Sequence, residues 1–262
     1  MLSKIICVMS GKGGTGKTTF TANLAVSLAL LKKETLIIDA DIGLRNMDLA
    51  LGMQDYIVYD VLDVSAGACM SREAIIEYPA NPMLHFLPAA QFGDKTTITK
   101  DEMKNVIDKV SDIYDYILID CPAGLNEIVC SAASVSDMAI VVVNPDPFSV
   151  RDADRVADIA AKCGVEEIKL VVNRYRKSLI QNKKMLNLSQ IIEEVAMEII
   201  GAIPEDEEIL LSVLNSDPVA NYQDKEQSVY YSEVAKRILG QPIPIMEIEG
   251  KKKPFWKRRK KS

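Results

Sequence analysis

The sequence has few of the residues that carry metal or disulfide chemistry. Its 262 residues include one histidine, one tryptophan and five cysteines. The histidine, His85, lies among the apolar residues Leu84, Phe86 and Leu87, so a multi-histidine metal site is excluded and a packed core or edge position is expected. The cysteines are odd in number and form no C-x-x-C pair, which argues against a disulfide framework or a zinc ribbon and favours a reducing cytoplasm.

Long apolar runs are also missing. No stretch reaches the roughly 18 apolar residues that a membrane-spanning helix needs, and the N-terminus leads directly into a strand-like segment without a signal-peptide pattern. We therefore expect neither a transmembrane helix nor an export signal. The composition, 48% hydrophobic and 26% charged, is that of a globular protein and excludes a disordered or fibrous chain.

Positive charge is scarce except at the C-terminus. Eight of the 31 lysines and arginines fall in the last twelve residues, which leaves 23 basic against 37 acidic residues in the rest of the chain, a net charge of −14. Nucleic-acid binding by so acidic a body is not expected, because phosphate contacts need lysine and arginine spread over a face. The terminal segment Lys251–Lys261, with Phe255 and Trp256, is instead predicted to bind anionic membrane lipid. The alternatives for this segment are a solvated charge run and nucleic-acid binding.

Short apolar runs alternate with helical patterns along the chain. The runs cover residues 4–10, 35–39, 84–88, 116–120, 138–143, 168–172 and 199–203. The helical patterns cover residues 18–31, 100–113, 124–135, 149–163, 188–197, 205–215 and 225–239. Most runs are too uniformly apolar for a strand with one wet face, so they predict a doubly wound α/β fold, with a mainly parallel sheet and helices on both faces. We expect one domain over residues 1–240, followed by an extended and mobile tail over 241–262.

A glycine-rich turn near the N-terminus has the pattern of a phosphate-binding loop. Residues 11–18 match G-x-x-x-x-G-K-[ST] and lie between a predicted strand and a predicted helix, which is the context that this P-loop requires. The glycines let backbone N–H groups surround a phosphate, Lys17 can reach the terminal phosphates, and the Thr18 hydroxyl can ligate Mg²⁺. The predicted nucleotide-binding residues here are Gly11, Lys12, Gly13, Gly14, Thr15, Gly16, Lys17, Thr18 and Thr19.

A second lysine distinguishes this loop from an ordinary P-loop. Lys12 follows the first glycine directly, where phosphate binding within the loop does not require a positive charge. A side chain at that point projects away from its own loop. It is therefore a candidate for a phosphate held by a facing copy of the loop, across a dimer. A solvated surface charge is the alternative.

Three aspartates are predicted at the carboxyl edge of the sheet, where open α/β sheets bind ligands. Asp39 and Asp120 each end an apolar run, and Asp41 follows two residues after Asp39. Thr18, Asp39 and Asp120 are the candidates for holding Mg²⁺, with Asp120 at the position of a Walker B carboxylate. Lys12, Lys17 and Asp41 are the predicted catalytic residues, since a carboxylate in this group can orient the attacking water.

The bound base is predicted to be adenine. Guanine-specific P-loop proteins carry an Asn-Lys-x-Asp stretch after a late strand, and its carboxylate accepts hydrogen bonds from the guanine edge. The corresponding stretch here is Asn173-Arg174-Tyr175-Arg176, with an arginine where the carboxylate is needed. A cation cannot accept those bonds, and leaving the donors unpaired is costly. ATP is therefore the expected nucleotide.

These features resemble the deviant Walker A group, the ParA/MinD ATPases. Lys12 marks the group, and several stretches are similar to the members that determine the division septum. These stretches are Asp39–Leu49, Ile57–Val64, Asn144-Pro145, Ser149–Arg155, Asn173-Arg174-Tyr175 and Gly201–Asp206, in the family's order. The resemblance covers about residues 3–240.

The resemblance implies a slow ATPase that dimerises face to face around two ATP molecules. Lys12 would reach the partner's nucleotide, Asp41 would position the hydrolytic water, and Asn173 with Pro204 and Glu205 would hold adenine. It also implies a protein on the inner face of the cell membrane that recruits a MinC-like division inhibitor. A MinE-like or other topological factor would control its placement.

Other functions within and near the family remain alternatives. A ParA-type DNA-segregation ATPase would need a basic face on the folded body, and flagellar-number ATPases are less similar in the quoted stretches. An iron–sulfur ATPase would need cysteines that bridge two subunits; Cys121 and Cys130 follow Asp120, but core positions are expected for them. The C-terminus also departs from the family, whose members end in a short amphipathic helix instead of a basic run.

Overall fold

The computed structural model describes residues 3–91 and 97–245. Eight strands form one sheet in the order β3-β4-β2-β5-β1-β6-β7-β8. The strands are β1 (Lys4–Met9), β2 (Thr35–Asp39), β3 (Ile76–Glu77), β4 (Leu84–Leu87), β5 (Tyr116–Asp120), β6 (Met138–Val143), β7 (Glu167–Tyr175) and β8 (Glu198–Pro204). All neighbours are parallel except β3 and β4, which pair antiparallel at one edge. The predicted fold class is confirmed.

Helices cover both faces of this sheet. They are α1 (Lys17–Leu30), α2 (Met47–Leu51), α3 (Val61–Ala66), α4 (Ser71–Ala74), α5 (Lys100–Asp108), α6 (Glu127–Ala133), α7 (Pro147–Lys162), α8 (Lys177–Gln181), α9 (Leu188–Glu194), α10 (Glu207–Leu214) and α11 (Glu226–Ile238). Helices α3, α5, α6, α7 and α9 contribute to the core on one face, and α1, α2 and α11 to the core on the other. Short 3-10 turns lie at Gln54–Tyr56 and Val219–Asn221.

The strand sequences explain why the sheet is covered on both sides. In β1, Ile5 and Cys7 pack into one core, whereas Ile6 and Val8 pack into the other. Successive side chains of a strand point to opposite faces, so a strand buried on both faces must be apolar throughout. This is the reason that the apolar runs lack the alternation of a half-exposed strand.

The strand register brings the predicted acidic residues together. Asp39 at the end of β2 lies opposite Asp120 at the end of β5, and Asp120 in turn lies opposite Val8 of β1. All three strands are parallel, so their carboxyl ends meet at one edge. The loop that follows β1 therefore opens directly beside the two carboxylates.

Several short elements were missed by the sequence patterns. Helices α2, α3, α4 and α8 have four to six residues, and β3 has two. Such lengths are too short to display a helical or strand period. Asp60 stabilises one of them, since its side chain accepts hydrogen bonds from the backbone N–H groups of Leu62 and Asp63 at the start of α3. His85 lies in β4 with its ring edge-on to that of Tyr114, 5.3 Å between centroids, as expected for a packed histidine.

The segment after α11 is bound to the body. The Arg237 guanidinium donates to the carbonyl oxygens of Ile200 in β8, Ile243 and Pro244, at 2.9, 2.9 and 3.0 Å. Ile243 and Pro244, near the start of the predicted tail, are thus hydrogen-bonded to the body, whereas Gln241 and Pro242 are exposed. The predicted lipid-binding stretch, Lys251–Lys261, lies outside the described residues.

Within residues 3–91 and 97–245, none of the helices has the length and hydrophobicity needed to cross a membrane.

Candidate nucleotide site

The glycine-rich loop lies between the end of β1 and the start of α1. Gly14 and Gly16 have φ values of 79° and 86°, a left-handed conformation that favours glycine. Gly16 must also be small, because a Cβ atom there would come within 2.4 Å of the Asn173 side-chain nitrogen. The predicted binding residues 11–19 are therefore brought to the N-terminus of α1, where the helix dipole favours an anion.

Asp120 is the centre of the hydrogen bonding behind this loop. The Thr18 hydroxyl donates to Asp120 Oδ2 at 2.7 Å, and the Thr21 hydroxyl lies 3.1 Å from Oδ1. Asp120 is buried, and this burial raises its pKa; the charge of Lys17 and the two hydroxyl bonds oppose the rise. Lys17 is itself only 7% exposed, an unusual burial for a lysine. The arrangement keeps a cation and a carboxylate at the start of α1.

Asp39 and Asp41 have different surroundings. Asp39 is fully buried, and its two oxygens accept from the backbone N–H groups of Asp41 at 2.9 Å and Met47 at 3.4 Å. Burial, and then the nearby charge of Asp120, raise the pKa of Asp39 well above its ordinary value. Asp39 thus orders the loop that carries Asp41. Burial also raises the pKa of Asp41, whereas the positive charge of Lys17 opposes this rise. Asp41 therefore interacts electrostatically with the phosphate-loop lysine.

Lys12 does not point toward the residues that follow it in its own loop. Its Nζ lies 3.2 Å from Asp152 Oδ2 on α7, and 5.2 Å from the centre of the Phe148 ring. Gly11 allows the approach, because a Cβ atom there would come within 2.7 Å of the Asp152 Cβ. The lysine side chain remains half exposed and the Phe148 side chain is exposed. Lys12 is therefore held at the surface by α7.

A cavity of about 910 Å³ continues from the loop toward the ends of β7 and β8. The predicted base-binding residues Asn173, Pro204 and Glu205 line it together with Thr19. Asn173 is buried, and its Nδ2 donates to the carbonyl oxygen of Thr15 at 2.7 Å, which ties the end of β7 to the phosphate loop. Of the residues predicted for phosphate, Gly16 and Thr19 line this cavity, beside the three residues predicted for the base.

Other residues of this cavity were not identified from the sequence as ligand-binding residues. Arg174, Tyr175 and Arg176 follow Asn173 along the lining, and Tyr230 of α11 lines it as well. Arg176 forms an ion pair with Glu205. Burial raises the pKa of Tyr175, with a further contribution from Tyr230. The first three could have been inferred from their position after Asn173, whereas nothing local in the sequence links α11 to the site.

The loop has the features that a phosphate group requires. Thr15 is 3% exposed, and its Oγ1 has no hydrogen-bond partner among the described residues, an arrangement that an incoming acceptor would satisfy. Cβ atoms at Gly13 and Gly14 would meet nothing within 4 Å, so this side of the loop is open. The described residues hold no cluster of three or more histidine, cysteine or acidic side chains suited to a metal. Magnesium in nucleotide sites needs fewer protein ligands, because water and phosphate oxygens complete its shell.

Comparison with known proteins agrees with this geometry. Residues 3–179 match the model of the AAA domain family. The chain is 36% identical over 254 residues to the septum site-determining protein MinD of Bacillus subtilis (strain 168), covering 96% of this chain and 95% of the relative.

Two solved structures are similar over nearly the whole chain. A chain of the MinC:MinD cell division protein complex of Aquifex aeolicus is 36% identical with a TM-score of 0.87, covering 94% of this chain and 99% of that one. The septum site-determining protein MinD of Pyrococcus horikoshii OT3, complexed with Mg-ADP, is 28% identical with a TM-score of 0.79, covering 92% and 100%. The resemblance inferred from the sequence is confirmed.

Proposed function

Because this chain belongs to the family of MinD septum site-determining proteins, we propose that it is an ATP-dependent homodimer that regulates division-site placement at the membrane. ATP and Mg²⁺ are the ligands that the site's chemistry favours, and the Pyrococcus relative was solved with Mg-ADP. We assign the ATPase domain to residues 1–240 and the membrane-binding function to the tail, residues 241–262.

The position of Lys12 carries the proposal. Two lysines stand in one phosphate loop, but Lys17 is buried beside Asp120 and Asp41, whereas Lys12 is half exposed and held by Asp152. Lys17 therefore acts within its own subunit. Once it leaves Asp152, Lys12 can reach the nucleotide of a second copy, so we expect hydrolysis to be slow in the monomer and dependent on dimerisation.

The remaining roles follow from the contacts around Asp120. When bound, Mg²⁺ neutralises charge that develops on the phosphate oxygens. Thr18 and Asp120 would hold it, since the Thr18 hydroxyl donates to Asp120 and still has lone pairs for a cation. We also retain Asp39 as a metal-site residue. Its two oxygens accept hydrogen bonds from the backbone N–H groups of Asp41 and Met47. Asp41 would orient the attacking water, and Asn173, Pro204 and Glu205 would hold adenine.

Membrane recruitment is assigned to the basic tail. Each lysine or arginine that reaches an anionic surface contributes about 1 kcal/mol, and two tails in a dimer bind with greater avidity than one. Phe255 and Trp256 add interfacial insertion. On the membrane, the dimer would recruit a MinC-like inhibitor, by analogy with the Aquifex complex, and a MinE-like or other topological factor would release it.

Vesicle sedimentation tests this function directly. Wild-type protein should sediment with phosphatidylglycerol vesicles more with ATP than with ADP, and excess duplex DNA should not displace it. A variant ending at Ile245 should lose vesicle binding, and Lys17→Ala should lose the response to ATP. Equal sedimentation with both nucleotides would contradict the nucleotide-controlled membrane cycle. Displacement by DNA would favour the ParA-type alternative.

Asp41→Ala separates nucleotide binding from hydrolysis. This variant should bind ATP, fail to hydrolyse it and accumulate as a dimer in size-exclusion chromatography. A monomeric variant that hydrolyses ATP normally would contradict the role assigned to Asp41.

A further inference from the structure

The loop that carries Asp41 contains one residue other than glycine in an unfavourable backbone conformation. Arg45 has a φ of 45°, in the left-handed region that residues other than glycine rarely adopt. Such a conformation persists only where the surrounding structure enforces it, and it is often found where a loop has a functional role. Contacts of Arg45 with the rest of the molecule must therefore hold this conformation.

The first of these contacts is made by the backbone of Arg45. Its N–H donates to the carbonyl oxygen of Asp41 at 3.0 Å, and the N–H of Leu44 donates to the same oxygen at 3.2 Å. On the other side of Asp41, its own N–H donates to Asp39 Oδ1 at 2.9 Å. The backbone of Asp41 is therefore bound to Asp39 at its N–H group and to Arg45 at its carbonyl group.

The second contact is made by the side chain of Arg45, which turns toward α2. Its Nε lies 2.7 Å from Oδ2 of Asp48, and the two side chains are 18% and 3% exposed. Since this Nε has no hydrogen bond of regular geometry among the described residues, the contact is a pairing of charges. A carboxylate as buried as that of Asp48 needs a cation beside it, because an unpaired charge is costly to bury.

Asp48 is a firm anchor for this ion pair. It lies in α2, whose residues Met47 and Leu51 are buried in the core on one face of the sheet. The carbonyl oxygen of Asp48 also accepts a hydrogen bond from the N–H of Met53 at 2.8 Å, just beyond the end of the helix. The pair with Arg45 thus ties the end of the loop to a helix that is packed into the core.

We propose that Arg45 is a positioning residue for Asp41. By pairing with Asp48, it holds the loop in the conformation that directs the Asp41 carboxylate toward the nucleotide. This role rests on the proposed function, in which Asp41 orients the attacking water. A displacement of about 1 Å at such a group can lower a rate by about 100-fold. ATP binding should be unaffected by the pair, since the phosphate loop and the base-binding residues lie on other segments.

Steady-state kinetics of the full-length protein test this role. Arg45→Gln removes the positive charge and should lower kcat for ATP hydrolysis by about 10- to 100-fold, with KM unchanged. Arg45→Lys keeps a cation beside Asp48 and should retain most of the wild-type rate. Arg72→Gln is the matched control, because it removes the same charge from an exposed position on α4, and its kcat should equal that of the wild type.

A double-mutant cycle separates the pair from either residue alone. Asp48→Asn should lower kcat as Arg45→Gln does, and the two changes together should lower it no further, because the second change removes a contact that is already lost. Additive losses would show that the two residues act independently and would overturn the proposal. So would an Arg45→Gln variant with a lower thermal unfolding midpoint but a normal kcat, which is the result expected of a purely structural contact.

Amide hydrogen exchange without nucleotide keeps this inference separate from the proposed function. The Asp41 and Arg45 amides should lose protection in Arg45→Gln and retain it in Arg45→Lys and Arg72→Gln. If the wild type binds no ATP but the loop loses protection in this way, the proposed function fails and the structural hold on Asp41 stands. If the wild type hydrolyses ATP and loop protection is unchanged in Arg45→Gln, the positioning role alone is overturned.

Discussion

Asparagine in place of Asp152 is expected to strengthen ATP-dependent dimerisation. The carboxylate holds Lys12 through the 3.2 Å ion pair, in which the lysine side chain is 50% exposed and the aspartate side chain 23% exposed. A pair with this much solvent contributes about 0.2–1 kcal/mol. If Lys12 must leave Asp152 to reach a facing nucleotide, the energy of this ion pair opposes dimerisation. Asp152→Asn removes the charge of the pair while conserving the shape of the side chain.

The size of the effect follows from the symmetry of the dimer. Two lysines must leave their aspartates, so the variant gains about 0.4–2 kcal/mol per dimer. That range corresponds to a dimer Kd lowered by about two- to thirty-fold. The contact between Lys12 and the Phe148 ring remains in the variant and still holds the lysine by about 0.5–1 kcal/mol.

Sedimentation equilibrium measures this change most directly. The substitution is made in an Asp41→Ala background, so that hydrolysis does not deplete the dimer, and the dimer Kd is determined with ATP and with ADP. Asp154→Asn is the matched control, because it removes the same charge from an exposed position on the same helix. Unchanged or weaker dimerisation of Asp152→Asn relative to this control would refute the reasoning.

Three further predictions concern the site and its support. Thr18→Val removes the hydroxyl that donates to Asp120 at 2.7 Å. In calorimetry we expect about a 10- to 100-fold loss of ATP affinity with Mg²⁺ and a smaller loss with EDTA. Equal losses under the two conditions would argue against a role of Thr18 in Mg²⁺ binding. Asn173→Ala leaves the Thr15 carbonyl without its 2.7 Å partner and should lower the free energy of unfolding by about 1–3 kcal/mol in urea titrations, with no change contradicting this. Burial raises the pKa of Tyr114 to about 12, whereas the pKa of tyrosine in the unfolded chain is about 10. Between about pH 10 and 12 the unfolded chain therefore loses this proton while the folded protein keeps it, and stability that is complete below pH 10 is lost over this range. Tyr114→Phe should therefore lose less stability than the wild type over this range, and parallel losses in urea midpoints would contradict the assignment.

The fold was predictable because its signals are local. Each central strand is an uninterrupted apolar run, as in residues 138–143, and the turn of residues 11–18 between β1 and α1 is recognisable from a few consecutive residues. The placement of Asp39 and Asp120 at one edge of the sheet also followed from local patterns, because each ends a parallel strand, whereas the pairing of their two strands did not. Parallel strands place such residues at the same edge without any knowledge of long-range contacts.

What could not be predicted depends on contacts between distant segments. Lys12 could be recognised as unusual, but its contact with Asp152 joins residues far apart in the sequence. The same applies to Tyr230 in the cavity. Single-sequence patterns do not encode which faces of two helices meet, so these contacts were revealed by the three-dimensional arrangement alone.

Arg237 has a mechanical consequence for a protein tethered by its end. Its guanidinium joins the Ile243 and Pro244 carbonyls to that of Ile200 in the edge strand β8. A pulling force applied beyond Ile245 would enter the molecule at this three-way junction and pass into the sheet, instead of peeling α11 from its last turn. The tether would thus bear on the hydrogen-bonded sheet through its edge strand β8.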